Sequence, residues 1–140
     1  MNSWIPDALL SALFAALTAI FAKIGIRGVD SDLATAIRTV VILVFAWGSA
    51  LARGVTAGLP HLTQRTWLFL MLSGLATGAS WLCYFRALKL GPVSKVAPVD
   101  KLSVAVALLL AVAFLGETIS TRGALGAGLI LAGTVVLVWS

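Results

Sequence analysis

Five charge-free runs dominate the chain, at residues 8–22, 39–52, 66–85, 102–116 and 123–140. Each approaches the roughly 20 residues that a helix needs to cross a bilayer, once a flanking charge sits at the interface. The residues between the runs predict where each helix begins and ends. Pro6 and Asp7 suit a first turn, so the first helix is placed at about 6–25, closing at Gly25-Ile26-Arg27-Gly28. The second spans about 32–52, with Ser31 or Asp32 as its cap, and stops before Arg53-Gly54. A polar loop from Gly58 to Arg65 leads to a third helix at about 65–89, which breaks at Gly91-Pro92. The fourth starts near Ser94–Pro98, is placed at about 95–116 and closes at Gly116-Glu117. The fifth runs from Thr121 to about residue 139. No segment shows the short alternating pattern of an outer-membrane strand. The fold class is therefore all-α, a polytopic membrane protein with residues 1–140 forming one domain of five transmembrane helices.

Composition agrees with this pattern. Hydrophobic residues make up 61% and charged residues 11%, with a mean hydropathy of +1.08. Soluble domains average about 45–50% and about 25% respectively, so a water-soluble globular enzyme is excluded. The net charge of +5 does not indicate nucleic acid, because the ten basic residues are scattered singly. Basic residues at the ends of apolar segments suit anionic headgroups instead, which makes the lipid bilayer the first partner. Trp4, Trp67 and Trp139 also fall near helix ends, where indole rings favour the headgroup level.

An odd number of spans puts the termini on opposite sides of the membrane. Arg53, Arg65 and Arg122 fall on the N-terminal side, against Lys23, Arg27, Arg86, Lys89 and Lys95 on the other. So small a bias leaves the orientation open and is compatible with insertion in both directions. The start of the chain lacks the basic region of a signal peptide, so the first apolar segment is expected to stay as a helix. The one cysteine, Cys83, lies inside an apolar run and has no internal disulfide partner.

Chemistry within the spans is sparse. The third helix carries Ser73, Thr77, Ser80 and Tyr84 at offsets 0, 4, 7 and 11, one face of a helix, with Trp81 flanking. In hydrocarbon such a stripe should turn toward other helices or a water-filled path, as interhelical hydrogen bonding or as substrate lining. Gly74 and Gly78 have small-xxx-small spacing on a neighbouring face, and Gly128 with Ala132 repeats it in the fifth helix. These positions suit close helix packing or, alternatively, a dimer contact. Arg38 sits about two turns into the second helix, and Asp100 and Lys101 head the fourth. Intramembrane charges are costly and are usually paired or functional. An Arg38–Asp100 pair is geometrically allowed, and an interfacial cluster with Lys101 reaching to headgroups is the alternative. Proton coupling through Asp100 is disfavoured, because adjacent cations oppose the raised pKa that a carrier needs. Pro92 and Pro98 are candidate hinges, since each removes a backbone donor, although a plain loop with Pro98 in a first turn fits equally well. His61 stands alone, and no catalytic, cofactor or metal-ligand spacing occurs. No enzyme activity, cofactor or metal is expected.

Three stretches carry a resemblance when taken together. They are Phe21-Ala-Lys-Ile-Gly25 with Ala34-Thr-Ala-Ile-Arg38-Thr39; Gly74-Leu-Ala-Thr-Gly78 running on through Ser80-Trp81 and Tyr84-Phe85-Arg86 to Leu88; and Gly91-Pro92 through Ala97-Pro98-Val99-Asp100-Lys101-Leu102-Ser103, closing with Phe114-Leu-Gly-Glu117. The chain resembles a single EamA domain of the drug/metabolite transporter superfamily, of the short five-helix bacterial and archaeal type. The resemblance covers nearly the whole chain. It implies export or exchange of small molecules across the inner (cytoplasmic) membrane. Longer relatives join two such units in inverted orientation, so one unit implies a homodimer, with antiparallel subunits favoured. Small multidrug exporters of the superfamily carry an acidic residue within their first helix. This sequence has none there beyond Asp7, which speaks against proton-driven multidrug efflux.

The expectation is thus half of a dimeric transporter of small metabolites or drugs. Its substrate path would be lined by Thr77, Ser80, Trp81 and Tyr84, with Arg38, Asp100 and Lys101 near one mouth. The alternative is a non-transporting membrane subunit packed against a larger membrane enzyme or transporter.

Overall fold

The computed structural model describes residues 3–139, and all regular structure among them is helical. Helix α1 covers Ile5–Gly25, α2 Ser31–Ala52, α3 Gln64–Leu90, α4 Val93–Asp100, α5 Ser103–Leu110 and α6 Thr121–Trp139. A 3-10 turn at Val55–His61 follows α2, in the stretch expected to be loop, and a π turn at Ala111–Leu115 ends α5. Five stretches are long and apolar enough to span a membrane: Ile5–Gly25, Ser31–Ala52, Gln64–Leu90, Val93–Leu115 and Thr121–Trp139. The shortest has 19 residues, about 28 Å at 1.5 Å per residue, close to the hydrocarbon thickness of about 30 Å.

The chain folds as two units, one comprising Phe21–Lys89 and the other the stretches up to Ile20 and from Leu90 onward. In the Phe21–Lys89 unit the buried side chains are Ile26, Ser31, Thr35, Phe85 and Leu88. In the other they are Ala19 and Thr134. Large apolar groups lie outside, with Phe45 79% and Phe114 80% exposed. This inversion of the soluble pattern follows from the solvent. Lipid tails are as apolar as leucine, so most bulky apolar side chains can face outward, and hydroxyls join Ile26, Phe85 and Leu88 among the buried side chains.

Local chemistry sets the helix ends. Asp30, in extended backbone at φ −66° and ψ 140°, caps α2 by accepting from the N–H groups of Asp32 and Leu33. The distances are 2.9 and 3.3 Å. The cap is thus one residue earlier than the expected Ser31 or Asp32, because Ser31 is already helical and buried. Gly116 closes the π turn at φ 67°, a left-handed position that a side chain would strain, and its N–H bonds the carbonyl of Ala111. That geometry accounts for the glycine of the Gly116-Glu117 pair.

The predicted fourth helix is not continuous. It begins earlier than expected, at Val93, with Pro92 as its extended N-terminal residue and Pro98 inside α4. The interruption comes at Lys101–Leu102, where i to i−3 bonds replace the α pattern. Lys101 N–H donates to Pro98 at 3.0 Å and Leu102 N–H to Val99 at 3.0 Å. Pro98 has no N–H to give the carbonyl of Ser94, and its own carbonyl also accepts from the Thr134 hydroxyl at 3.3 Å. Pro92 therefore marks a helix start, and the break lies just beyond Pro98.

Candidate functional site

In the Phe21–Lys89 unit, α2 directs Ser31, Thr35 and Arg38 to one face, at offsets 0, 4 and 7. The hydroxyls on this helix satisfy themselves: Thr35 donates to the Ser31 carbonyl and Thr39 to the Thr35 carbonyl, both at 2.8 Å. Arg38 is different. It is half-buried and lies about 10 Å along the span from the start of α2 at 1.5 Å per residue. Its guanidinium carbon sits 4.1 Å from the Trp81 ring centroid and 5.4 Å from that of Phe85. Tyr84 meets Phe85 edge-on at 6.5 Å. About one turn of α3, from Trp81 to Phe85, thus brings aromatic groups to one cation.

The magnitudes show what this cluster does and does not achieve. A guanidinium near the centre of a spanning helix costs about 2.5–3.5 kcal/mol. A cation over an aromatic face recovers about 0.5–2 kcal/mol. Ring faces offset part of the cost, but they accept no hydrogen bond from the five guanidinium N–H groups. The unit holds two acids, Asp30 and Asp32. Asp30 caps α2, and Asp32 takes a bidentate bond from Arg86, with Nε to Oδ1 at 3.1 Å and the terminal nitrogen to Oδ2 at 2.8 Å. Both are engaged away from Arg38.

The remaining candidates are placed as follows. Ser73, Thr77 and Ser80 are exposed on the surface of the chain rather than turned inward. The Thr77 hydroxyl donates to the Ser73 carbonyl at 2.8 Å, so it is satisfied by its own helix. Asp100 and Lys101 belong to the other unit, where they pair with each other at 3.5 Å. Within its own unit Arg38 thus has aromatic partners, and within the other Asp100 has a lysine partner. A Cβ added at Gly74, Gly78 or Gly128 would meet nothing within 4 Å. Within its own unit each of these glycines faces open space. His61 and Cys83 are exposed. Among the described residues no group of three His, Cys, Asp or Glu side chains could hold a metal.

Sequence reasoning missed three contacts. The Asp32–Arg86 pair joins the first turn of α2 to the end of α3, a meeting that a hairpin of two antiparallel helices brings about. The Lys23 ammonium donates to the Leu88 carbonyl in the last turn of α3. Lys95 reaches the Val138 carbonyl near the end of α6 at 3.1 Å. Each lysine supplies a donor and positive charge to a helix C-terminus, where carbonyls lack partners and the dipole is negative. A cleft of about 330 Å³ between α2 and the 3-10 turn, lined by Trp47, Ala50, Val55 and Leu59 among others, was also unanticipated.

Five apolar spans, an inverted packing pattern and an intramembrane arginine define a multi-pass helical membrane protein. The chain matches the EamA-like transporter family over residues 2–139, and it belongs to that family as a membrane transporter. It is 54% identical over 136 residues to a protein from a Sinorhizobium species described as an uncharacterized transporter in the cobO 3' region. That alignment covers 97% of this chain and 96% of the relative. No solved structure matches the chain.

Proposed function

We propose that the chain is half of a homodimeric transporter that exports or exchanges a small metabolite or drug across the inner (cytoplasmic) membrane. The path is lined by Thr77, Ser80, Trp81 and Tyr84, with Arg38 beside it. One observation carries the reading. In the middle of α3, an otherwise apolar span, Thr77 and Ser80 lie uncovered beside the open glycines Gly74 and Gly78. Small residues allow close approach of another helix, and hydroxyls favour a protein or water environment over lipid. A second copy placed on this face would cover the stripe and enclose a path between subunits. Because residue 77 lies midway along the 27-residue α3, the stripe meets its counterpart in either subunit orientation. Inverted repeats, common in transporters, support the antiparallel arrangement.

The test is disulfide cross-linking of Thr77→Cys in a Cys83→Ala background, together with solute counterflow in proteoliposomes of the purified chain. A cross-linked dimer with counterflow supports the reading. A purified chain that stays monomeric and moves no solute overturns it in favour of a subunit that packs against a larger membrane protein. Activity of both a cytoplasm-only and a periplasm-only reporter fused to the C-terminus establishes antiparallel copies, and activity of one alone a parallel pair.

A further inference from the structure

We infer that Arg38 is the docking point for a carboxylate on the transported molecule, so that the substrates are small monoanionic carboxylates with an apolar body. This rests on the transporter reading above and adds the substrate class to it. Arg38 is half-buried within a span, with Trp81 and Phe85 against its guanidinium and both acids of its unit engaged elsewhere. Aromatic faces attract the charge but take none of its N–H groups, which remain available as a planar fork. A carboxylate fits that fork with two parallel hydrogen bonds.

The charge of the ligand follows from the neighbouring cations. Arg86 is neutralised by Asp32, and the Lys23 ammonium is bonded at the end of α3. Arg38 is the one basic residue within α2, so a single cation at that depth faces the ligand, which suits a carboxylate better than a doubly charged phosphate monoester. The remainder of the ligand meets the half-buried Trp81 and Tyr84, so an apolar or aromatic body is favoured. Outside the membrane the arginine competes with water for the anion. Within the span a bound carboxylate also neutralises the buried charge, which strengthens the pairing.

The experiment uses the full chain in lipid nanodiscs. Binding is read by isothermal titration, and by quenching of tryptophan fluorescence with Trp81→Phe as the reference for the local signal. The probes are acetate, succinate, hexanoate and phenylacetate, with phenylacetamide, phenethylamine and phenyl phosphate as the neutral, cationic and dianionic counterparts. Phenylacetate is expected to bind at least about tenfold more tightly than its amide, the effect of one charge-assisted bidentate contact. Arg38→Gln abolishes that preference. Arg38→Lys keeps the preference for an anion but weakens binding about tenfold, because the ammonium lacks the planar fork.

The inference is overturned if no carboxylate binds, if the amide or amine binds as tightly, if phenyl phosphate binds more tightly, or if Arg38→Gln changes nothing while eluting as the same species on size exclusion. Counterflow separates the two readings. Carboxylate binding without flux of any solute sinks the transporter reading and leaves the site intact. Flux of a neutral or cationic solute that ignores both carboxylates and Arg38→Gln sinks the carboxylate site and leaves the transporter.

Discussion

The two units of the chain share one device and differ in everything around it. In each, a lysine from one helix bonds a carbonyl at the C-terminal end of another: Lys23 to Leu88 in the Phe21–Lys89 unit, Lys95 to Val138 in the other. Around Lys23 the spans α2 and α3 are continuous helices, and they hold an arginine with aromatic neighbours and no carboxylate partner in the unit. Around Lys95 the span is broken between α4 and α5, ends in a π turn, and carries an ion pair beside the break. Unbroken helices hold a side chain at a defined position, which recognition requires. Interrupted helices have fewer backbone bonds to lose, which suits bending. Under the proposed function, the contrast suits one unit to recognition and the other to movement.

Four substitutions test that division, in order of expected size. Asp100→Asn removes the carboxylate at the helix break and should abolish flux in proteoliposomes while membrane insertion and carboxylate binding at Arg38 persist. Loss of binding as well would spread recognition over both units. Pro98→Ala restores a donor for the Ser94 carbonyl and should slow flux about tenfold, equivalent to about 1.4 kcal/mol on the barrier, with binding unchanged. Unaltered flux would remove the hinge from this unit. Asp30→Ala strips the cap from α2 and should lower stability by about 1 kcal/mol, read as an earlier thermal transition in detergent. Thr134→Val removes the hydroxyl shared by the Ile130 and Pro98 carbonyls. It should cost about 0.6 kcal/mol in the same assay, the average for a hydrogen bond between membrane helices.

Much of the fold could be read along the chain. Charge-free runs located all five spans, because hydrocarbon tolerates few charges and leaves no backbone group without an internal partner. The ends of α1, α3 and α6 fell within a residue of their expected positions, where a polar or helix-breaking residue marks the boundary. The fourth span was less legible. Its two prolines drew attention to the right region, but the break lies past Pro98, where its carbonyl is shared with Thr134 from a helix 36 residues away. Glycine spacing did not reveal what the glycines meet, since small residues permit close approach without requiring it, and Gly74, Gly78 and Gly128 face open space within their own units. Arg38 stood out as an intramembrane charge, but its contacts with Trp81 and Phe85 were not legible, because spacing along one helix does not say which aromatic faces of another will meet it.

By itself, the sequence determined the solvent, the number and length of the spans, and the family, because these depend on composition, run length and local motifs. Tertiary structure alone decided which charges meet. Asp32 joins Arg86 across 54 residues of chain, and Arg38 lies against Trp81 rather than a carboxylate. Such pairings depend on which helix faces are brought together, and a helix periodicity defines a face without naming its neighbour.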